Sequence, residues 1–228
     1  MIQRTWHSLD DRVLLQVIVA GTPGDDIQTQ SKTAMNRALS EMEKAGFTAD
    51  HVVRSRVWGR DAATRTAASD IRRLEYADHK RGATASFYDS ERLADGVDMM
   101  IDVFALKTRK SAARKVFQEY DTPATAPLFV ELDGMVLLSG NTDTSPKFED
   151  QLVKIRGKIE PGLQRSGTQW KHVSLVSAFV SKTVDAMHAR KAIAEAFPEM
   201  SSPLVLTSVD GFSSPGKLIE IEVNALRT

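Results

Sequence analysis

The sequence predicts an α+β fold made of two tandem copies of one unit, each a mixed β-sheet with two helices packed on one face. The first observation is internal similarity, because residues from 27 onwards align without gaps with residues from 148 onwards. The second is that apolar strand and helix patterns follow one another in the same order in both halves. Identical residues in this alignment are Gln30 and Gln151, Gly46 and Gly167, His51 and His172, Val52 and Val173, and Ala68 and Ala189. We therefore interpret the chain as a duplication.

The first half begins with an apolar strand over residues 13–20. A helix is predicted over 27–45, where Met35, Leu39 and Met42 recur at helical spacing and Gly46 supplies the stop. A second strand (52–58), a second helix (62–76) and two closing strands (83–88 and 99–106) complete this half.

The second half repeats this order. Its predicted elements are a strand (130–139), a helix (148–167), a strand (173–180), a helix (184–197) and two closing strands (205–208 and 218–225). Pro161 lies inside the first of these helices, so we expect a break near Glu160. Charged, proline and small polar residues over 108–125 predict the linker, which gives domains over 1–112 and 120–228.

Charge argues against two classes of function. The 30 basic and 30 acidic residues give no net charge, whereas nucleic-acid binders and polybasic membrane-surface proteins carry a basic excess. We therefore expect neither nucleic acid nor a membrane as a partner.

Residue types exclude further chemistry. The chain has no cysteine, so disulfides, thiolate nucleophiles and cysteine-ligated zinc or iron–sulfur clusters are ruled out. The apolar run over 13–20 is too short to span a bilayer and has no basic leader. We expect a cytoplasmic protein with no cofactor and no metal.

Several segments resemble the Rid family, the YjgF-like reactive intermediate deaminases. The LLSGNT segment, which contains Ser139, Gly140 and Asn141, is similar to the family's strand that ends in Ser-Gly-Gln. Gln151 heads a helix as in the family, and LIEIEVNAL over 218–226 resembles its closing strand. This resemblance covers nearly the whole chain as two copies. It implies the α+β fold shared with bacterial chorismate mutases, assembled as a homo-oligomer, most often a trimer.

The resemblance also implies site residues. It assigns Glu220 and Ser139 to catalysis and Gly140 and Asn141 to substrate binding. The family's substrate-binding arginine is missing, because its two places are taken by the residues Thr84 and Val205. In the first half, Ala20 and Met100 replace the family serine and the acid that matches Glu220.

Other residues leave alternatives open. Arg81 precedes the lost arginine position and is assigned either to substrate binding or to the solvated surface. Glu220 is alternatively an acid at the edge of a strand, and Ser139 a hydroxyl that satisfies a turn. Asp102 and Glu222 are assigned structural or interfacial roles, with Glu222 expected to point away from Glu220.

Two functions follow as expectations. The first is a Rid-like hydrolase that acts on an imine, an enamine or a related C–N compound. The second is a non-catalytic protein that binds a small molecule or serves assembly, with degenerate Rid clefts.

Overall fold

The computed structural model describes residues 1–9, 12–75, 84–108, 114–121 and 126–227. The first unit is a sheet with two helices on one of its faces. Its elements are β1 (Ile2–Leu9), β2 (Arg12–Ala20), α1 (Ile27–Lys44), β3 (Val52–Gly59), α2 (Ala62–Glu75), β4 (Thr84–Asp89) and β5 (Met99–Thr108). The strands lie in the order β1-β2-β5-β3-β4, and only the β3–β4 pair among them is parallel.

The second unit has the same plan. Its elements are β6 (Val116–Gln118), β7 (Phe129–Leu132), β8 (Met135–Leu138), β9 (Asn141–Thr142), α3 (Phe148–Arg165), β10 (Val173–Ser181), α4 (Ala186–Ala196), β11 (Leu204–Val209), β12 (Gly211–Phe212) and β13 (Ile219–Leu226). The order β7-β8-β13-β10-β11 reproduces the order of the first sheet, including the one parallel pair. The predicted fold class and the duplication are confirmed, while the exact domain boundary stays a prediction.

Each unit has its own core between its sheet and its helices. Along β2, Leu15, Val17 and Val19 point into the first core, and along β13, Ile219 and Ile221 point into the second. Residues that alternate with these line the opposite face of each sheet. Those two helix-free faces pack against each other, and an apolar cluster that includes Leu14 and Leu137 joins them.

A short strand of the second unit also extends the first sheet. β12 pairs with the edge strand β4, so that Phe212 lies opposite Tyr88. The Arg65 guanidinium fixes this contact by donating to the Phe212 carbonyl at 2.6 Å and to Asp89 Oδ1 at 2.5 Å. The two units are thus linked by strand pairing as well as by the packing of their faces.

The predicted break in α3 was wrong, because the helix runs through Pro161 without interruption. Proline cannot donate to the carbonyl four residues earlier, and its ring crowds that residue. Here that carbonyl belongs to Gly157, which lies on the exposed side of the helix. Water can reach the carbonyl that the proline leaves unpaired.

The strands differ from the prediction at two places. The predicted strand over 130–139 is the β7–β8 hairpin, turned at Asp133 and Gly134 with φ of 50° and 75°. An Asp-Gly pair between apolar runs is a strong signal for such a turn. Strand β1 was not predicted, since its sequence IQRTWHSL mixes polar and apolar residues on an edge strand that is largely exposed.

Candidate functional site

A layer of polar side chains lies between the two sheets. Glu220, Glu222 and Asn224 are two residues apart along β13, so they share the face that meets the first unit. From β4, the Ser86 hydroxyl donates to Glu222 Oε1 at 2.7 Å and the Tyr88 hydroxyl donates to Glu220 Oε1 at 3.1 Å. The expectation that Glu222 points away from Glu220 was wrong, because residues two apart on a strand face the same side.

Two arginines of β3 hold Glu222. Arg56 Nη2 lies 2.6 Å from Glu222 Oε2, and Arg54 Nη1 lies 3.3 Å from the same oxygen. Burial by itself would raise the pKa of Glu222, but the charges of Arg54 and Arg56 outweigh it and lower the pKa to about 2. Glu222 is therefore a charged, structural carboxylate at neutral pH.

Arg56 connects this carboxylate to the first unit. Its Nη1 donates to Asp102 Oδ2 at 3.0 Å. Its guanidinium carbon lies 4.7 Å from the ring centroid of Phe104 and 5.0 Å from that of Phe179, so it contacts one aromatic ring from each unit. Cation–π contacts and two carboxylates fix this guanidinium in place.

Glu220 has a different environment. Its residue is only 4% exposed. Burial raises its pKa to about 7, and the negative charge of Glu222 adds to the rise, while hydrogen bonding by Ser86 and, more weakly, by Tyr88 opposes it. The Tyr88 ring is stacked on Phe179 with centroids 4.1 Å apart, which fixes the hydroxyl that reaches Glu220. A carboxyl with a pKa near 7 can both give and take a proton at neutral pH.

Gly140 contacts the Glu220 side chain closely. A Cβ at this position would collide with the Glu220 carboxylate and would lie 2.6 Å from Ser86 Oγ. The two residues after Gly140 form β9, which pairs with β13 so that Thr142 lies opposite Glu220 and Asn141 opposite Ile221. The LLSGNT segment is thus brought against Glu220.

The polar groups of this segment have partners inside the fold. Ser139 is 3% exposed, and its hydroxyl donates to the Pro127 carbonyl at 2.5 Å. The Asn141 side-chain amide donates to the Ser139 carbonyl at 2.8 Å. Arg81 lies outside the described residues. The assignments of these residues to catalysis and substrate binding stay predictions.

Arg54 lies beside one of the places where the family arginine is missing. Its Nε donates to Thr84 Oγ1 at 3.1 Å, and its terminal nitrogens donate to Asn224 Oδ1 at 2.7 Å and the Leu138 carbonyl at 2.8 Å. These interior partners hold the guanidinium within the interface. The sequence reasoning did not single out Arg54, Arg56 or Tyr88. A signal was present, since two arginines alternate within the apolar strand VVRSRVW.

A cavity of 590 Å³ opens between the sheets on the side of β2 and β10. Arg54, Arg56 and Asn224 line it, whereas Ser139, Gly140, Asn141 and Glu220 do not. Its size is typical of small-molecule sites. Within the described ranges, no helix is long and apolar enough to cross a membrane. No group of three or more potential metal-ligating His, Asp or Glu side chains occurs in that same part of the chain.

Comparison with known proteins finds similarity in structure only. No family model and no curated protein sequence matches the chain. A YjgF/YER057c/UK114 family member from Mycobacterium tuberculosis has 19% identity and a TM-score of 0.45, and covers 49% of this chain and 98% of its own. A Rid-family protein of unknown function from Yersinia pestis has 18% identity and a TM-score of 0.44, and covers 49% of this chain and 98% of its own.

A chorismatase matches across both units. It has 15% identity and a TM-score of 0.62, and covers 97% of this chain and 77% of its own length. The YjgF and Rid structures each cover about half of the chain. The predicted resemblance is confirmed at the level of the fold: the tandem pair of units has a fold similar to that of a chorismatase over nearly the whole chain.

Proposed function

We propose that this protein hydrolyses a C–N bond of an imine, an enamine or a related compound, with Glu220 as the group that transfers protons. The observation that carries this proposal is the buried Glu220 carboxyl, whose pKa of about 7 lies close to neutral pH. Strongly shifted pKa values that combine burial with a specific charge neighbour are typical of functional sites. Tyr88 and Gly140 fix the position of the carboxyl from opposite units.

The reaction needs one group that gives and takes a proton. In the ionised form, Glu220 accepts a proton from water as the water oxygen bonds to the imine carbon. It then returns this proton to the nitrogen, which gives a carbinolamine. The carboxylate next moves the hydroxyl proton of this carbinolamine to the nitrogen, the C–N bond breaks as the C=O bond forms, and a carbonyl compound and ammonia leave. No external oxidant or reductant is needed. A positioned acid–base group of this kind contributes about 10²–10⁴-fold to rate.

The substrate of such a site differs from a simple amino-acid imine. The family arginine would hold a carboxylate, and here Thr84 and Val205 occupy its places. Arg54 contacts Thr84 but is held by Asn224 and Leu138. We therefore infer a substrate that does not depend on this carboxylate clamp.

A second candidate is a non-catalytic protein that binds a small molecule. One observation favours it: the hydroxyl of Ser139 and the amide of Asn141, both assigned to the site, donate to backbone carbonyls. Homo-oligomerisation as a trimer stays a prediction that light scattering would test.

The test is ammonia release from a panel of imines generated in place, some by an amino-acid oxidase and some by an amine oxidase, whose imines carry no carboxylate. We expect acceleration by the parent protein and a loss of about 10²–10⁴-fold for Glu220→Gln. The matched control is Met100→Leu, which changes the equivalent position of the first unit and should keep activity within a few-fold. If no compound in the panel is turned over, the non-catalytic candidate is favoured. If Glu220→Gln keeps full activity, Glu220 is not the proton-transfer group.

A further inference from the structure

The residues that line the cavity between the sheets do not include Glu220. Its walls come from both units, since β1 and β2 contribute one side and β10 and β11 the other. Apolar side chains, among them Leu14, Leu175 and Val205, cover much of these walls. A ligand in this cavity would contact both units.

The charges along the cavity have one sign. Its described lining includes Arg12, Arg54 and Arg56 and contains no aspartate or glutamate. The carboxylates that pair with Arg56 do not form part of this lining, although they hold the guanidinium. Charged groups of one sign between low-dielectric walls concentrate the field, so this cavity favours an anion.

Arg56 is arranged as a recognition group. It donates from Nε and Nη2 to the Glu222 carboxylate and from Nη1 to Asp102 Oδ2. A guanidinium has five N–H donors, and the described residues supply no acceptor for the second N–H on either terminal nitrogen. Arg56 lines the cavity, and a guanidinium with N–H groups left over can donate to a carboxylate placed beside it.

The cavity also offers an aromatic surface. Phe104 lines it and lies against the Arg56 guanidinium, 4.7 Å from carbon to ring centroid. Ser177 and Gln16 add polar groups from opposite walls. The combination of a fixed guanidinium, a phenyl ring and leucine walls matches a ligand with one charged end and a flat apolar body.

We propose that the cavity between the sheets binds a small aromatic carboxylate, with its carboxylate at Arg56 and its ring against Phe104 and the apolar walls. This site is independent of the proposed hydrolysis at Glu220. A protein that lacked all imine hydrolase activity would still have it.

Isothermal titration calorimetry with benzoate, phenylacetate and phenylpyruvate tests the proposal on the full chain. We expect at least one of the three to bind with a Kd below about 1 mM. Its neutral amide, benzamide for benzoate, should bind about ten- to a hundred-fold more weakly because it lacks the charge-assisted hydrogen bonds to Arg56. Absence of binding by all three acids, or equal binding of acid and amide, would overturn the proposal.

A variant locates the site. Val205 lines the cavity on β11 and is 50% exposed, so Val205→Trp should fill the mouth with little effect on the core and weaken binding at least ten-fold. Val116→Trp is the matched control, because Val116 is 56% exposed on β6 and does not line the cavity. Binding by Val205→Trp equal to that of the parent would place the ligand elsewhere and contradict the proposal. The comparison of acid and amide needs no variant and holds even if Val205→Trp fails to fold.

Discussion

The β3–β5 pair of the first unit and the β10–β13 pair of the second occupy equivalent places, yet their facing surfaces carry complementary charges. In the first unit, Arg56 lies opposite Asp102 in the strand register. In the second, Ser177 lies opposite Glu222, and Phe179 lies opposite Glu220. The cations of one copy therefore meet the carboxylates of the other.

This difference shows how a duplicated unit becomes two parts that are not interchangeable. A buried guanidinium without its carboxylate is strongly unfavourable, and so is the reverse. Arg54 and Arg56 share the Glu222 carboxylate only when β13 of the second unit lies against them. Charge complementarity of this kind fixes which faces meet and in which register.

The largest expected effect comes from removing Glu222. Glu222→Gln leaves Arg54 and Arg56 buried without their shared carboxylate, so we expect a loss of about 3–5 kcal/mol in the free energy of unfolding. Urea denaturation at pH 7 measures it. The matched control is Glu199→Gln, whose side chain is 49% exposed in its pair with Arg156. That control should change stability by less than about 1 kcal/mol. Equal effects of the two changes would show that the interface charges do not distinguish the units.

The ionised Glu220 carboxylate should lower the free energy of unfolding, whereas the Glu222 carboxylate raises it. The size of the Glu220 effect depends on pH. The pKa of Glu220 is about 7 in the folded protein, against 4.5 for a glutamate carboxyl exposed to water. Between these values the folded state holds the proton more tightly than the unfolded state, so stability falls as pH rises from 4.5 to 7. The full difference amounts to about 3 kcal/mol.

The measurement compares the parent with Glu220→Gln by urea denaturation at several pH values from 5 to 8. We expect the parent to lose stability relative to the variant across this range and the difference to level off above pH 7. Glu222 does not interfere, because its pKa of about 2 means that its stabilisation is present above pH 4.5 and is lost only as pH falls towards 2. A difference that stays constant with pH would mean that Glu220 ionises normally.

The sequence predicted the fold of each unit well and their contact poorly. Helix α1 was expected over 27–45 and closing strand β13 over 218–225, and both bounds agree with the structure to within one residue. Such elements are determined by local periodicity. Strand β1 escaped prediction because an exposed edge strand has no clear alternation.

Only the part of the candidate site that lies within one unit was predicted, because local sequence patterns describe a unit and not its contact with the other. Glu220 and Gly140 lie in one unit, and the resemblance of local segments brought them together. Tyr88, Arg54 and Arg56 reach the same layer from the other unit, through a packing of faces that no local pattern encodes. Charges inside the apolar strand VVRSRVW indicated a buried partner without identifying it.

A smaller effect is expected from replacing Gly140. Comparison with Gly157 distinguishes a steric clash of the new side chain from the general effect of replacing glycine by alanine. The Cβ of Gly140→Ala would collide with the Glu220 carboxylate, so we expect a loss of about 1–3 kcal/mol from overpacking. Gly157→Ala is the matched control, since its Cβ would meet open space on α3. That change should stabilise the protein by about 0.5–1 kcal/mol. The two unfolding midpoints should shift in opposite directions, and a shift in the same direction would contradict the close contact at Glu220.

The smallest expected effect is that of Tyr88→Phe, which removes one hydroxyl from the contact between the units. The ring that stacks on Phe179 is kept, so the change isolates the hydrogen bond to Glu220 Oε1. We expect a loss of about 0.5–1.5 kcal/mol in the free energy of unfolding. Because this hydrogen bond lowers the pKa of Glu220, its removal should also raise that pKa. The fall in stability with rising pH should then continue beyond pH 7, whereas in the parent it levels off there. An unchanged pH profile would show that Tyr88 supports Glu220 only by packing and does not contribute to the proton affinity of the carboxyl.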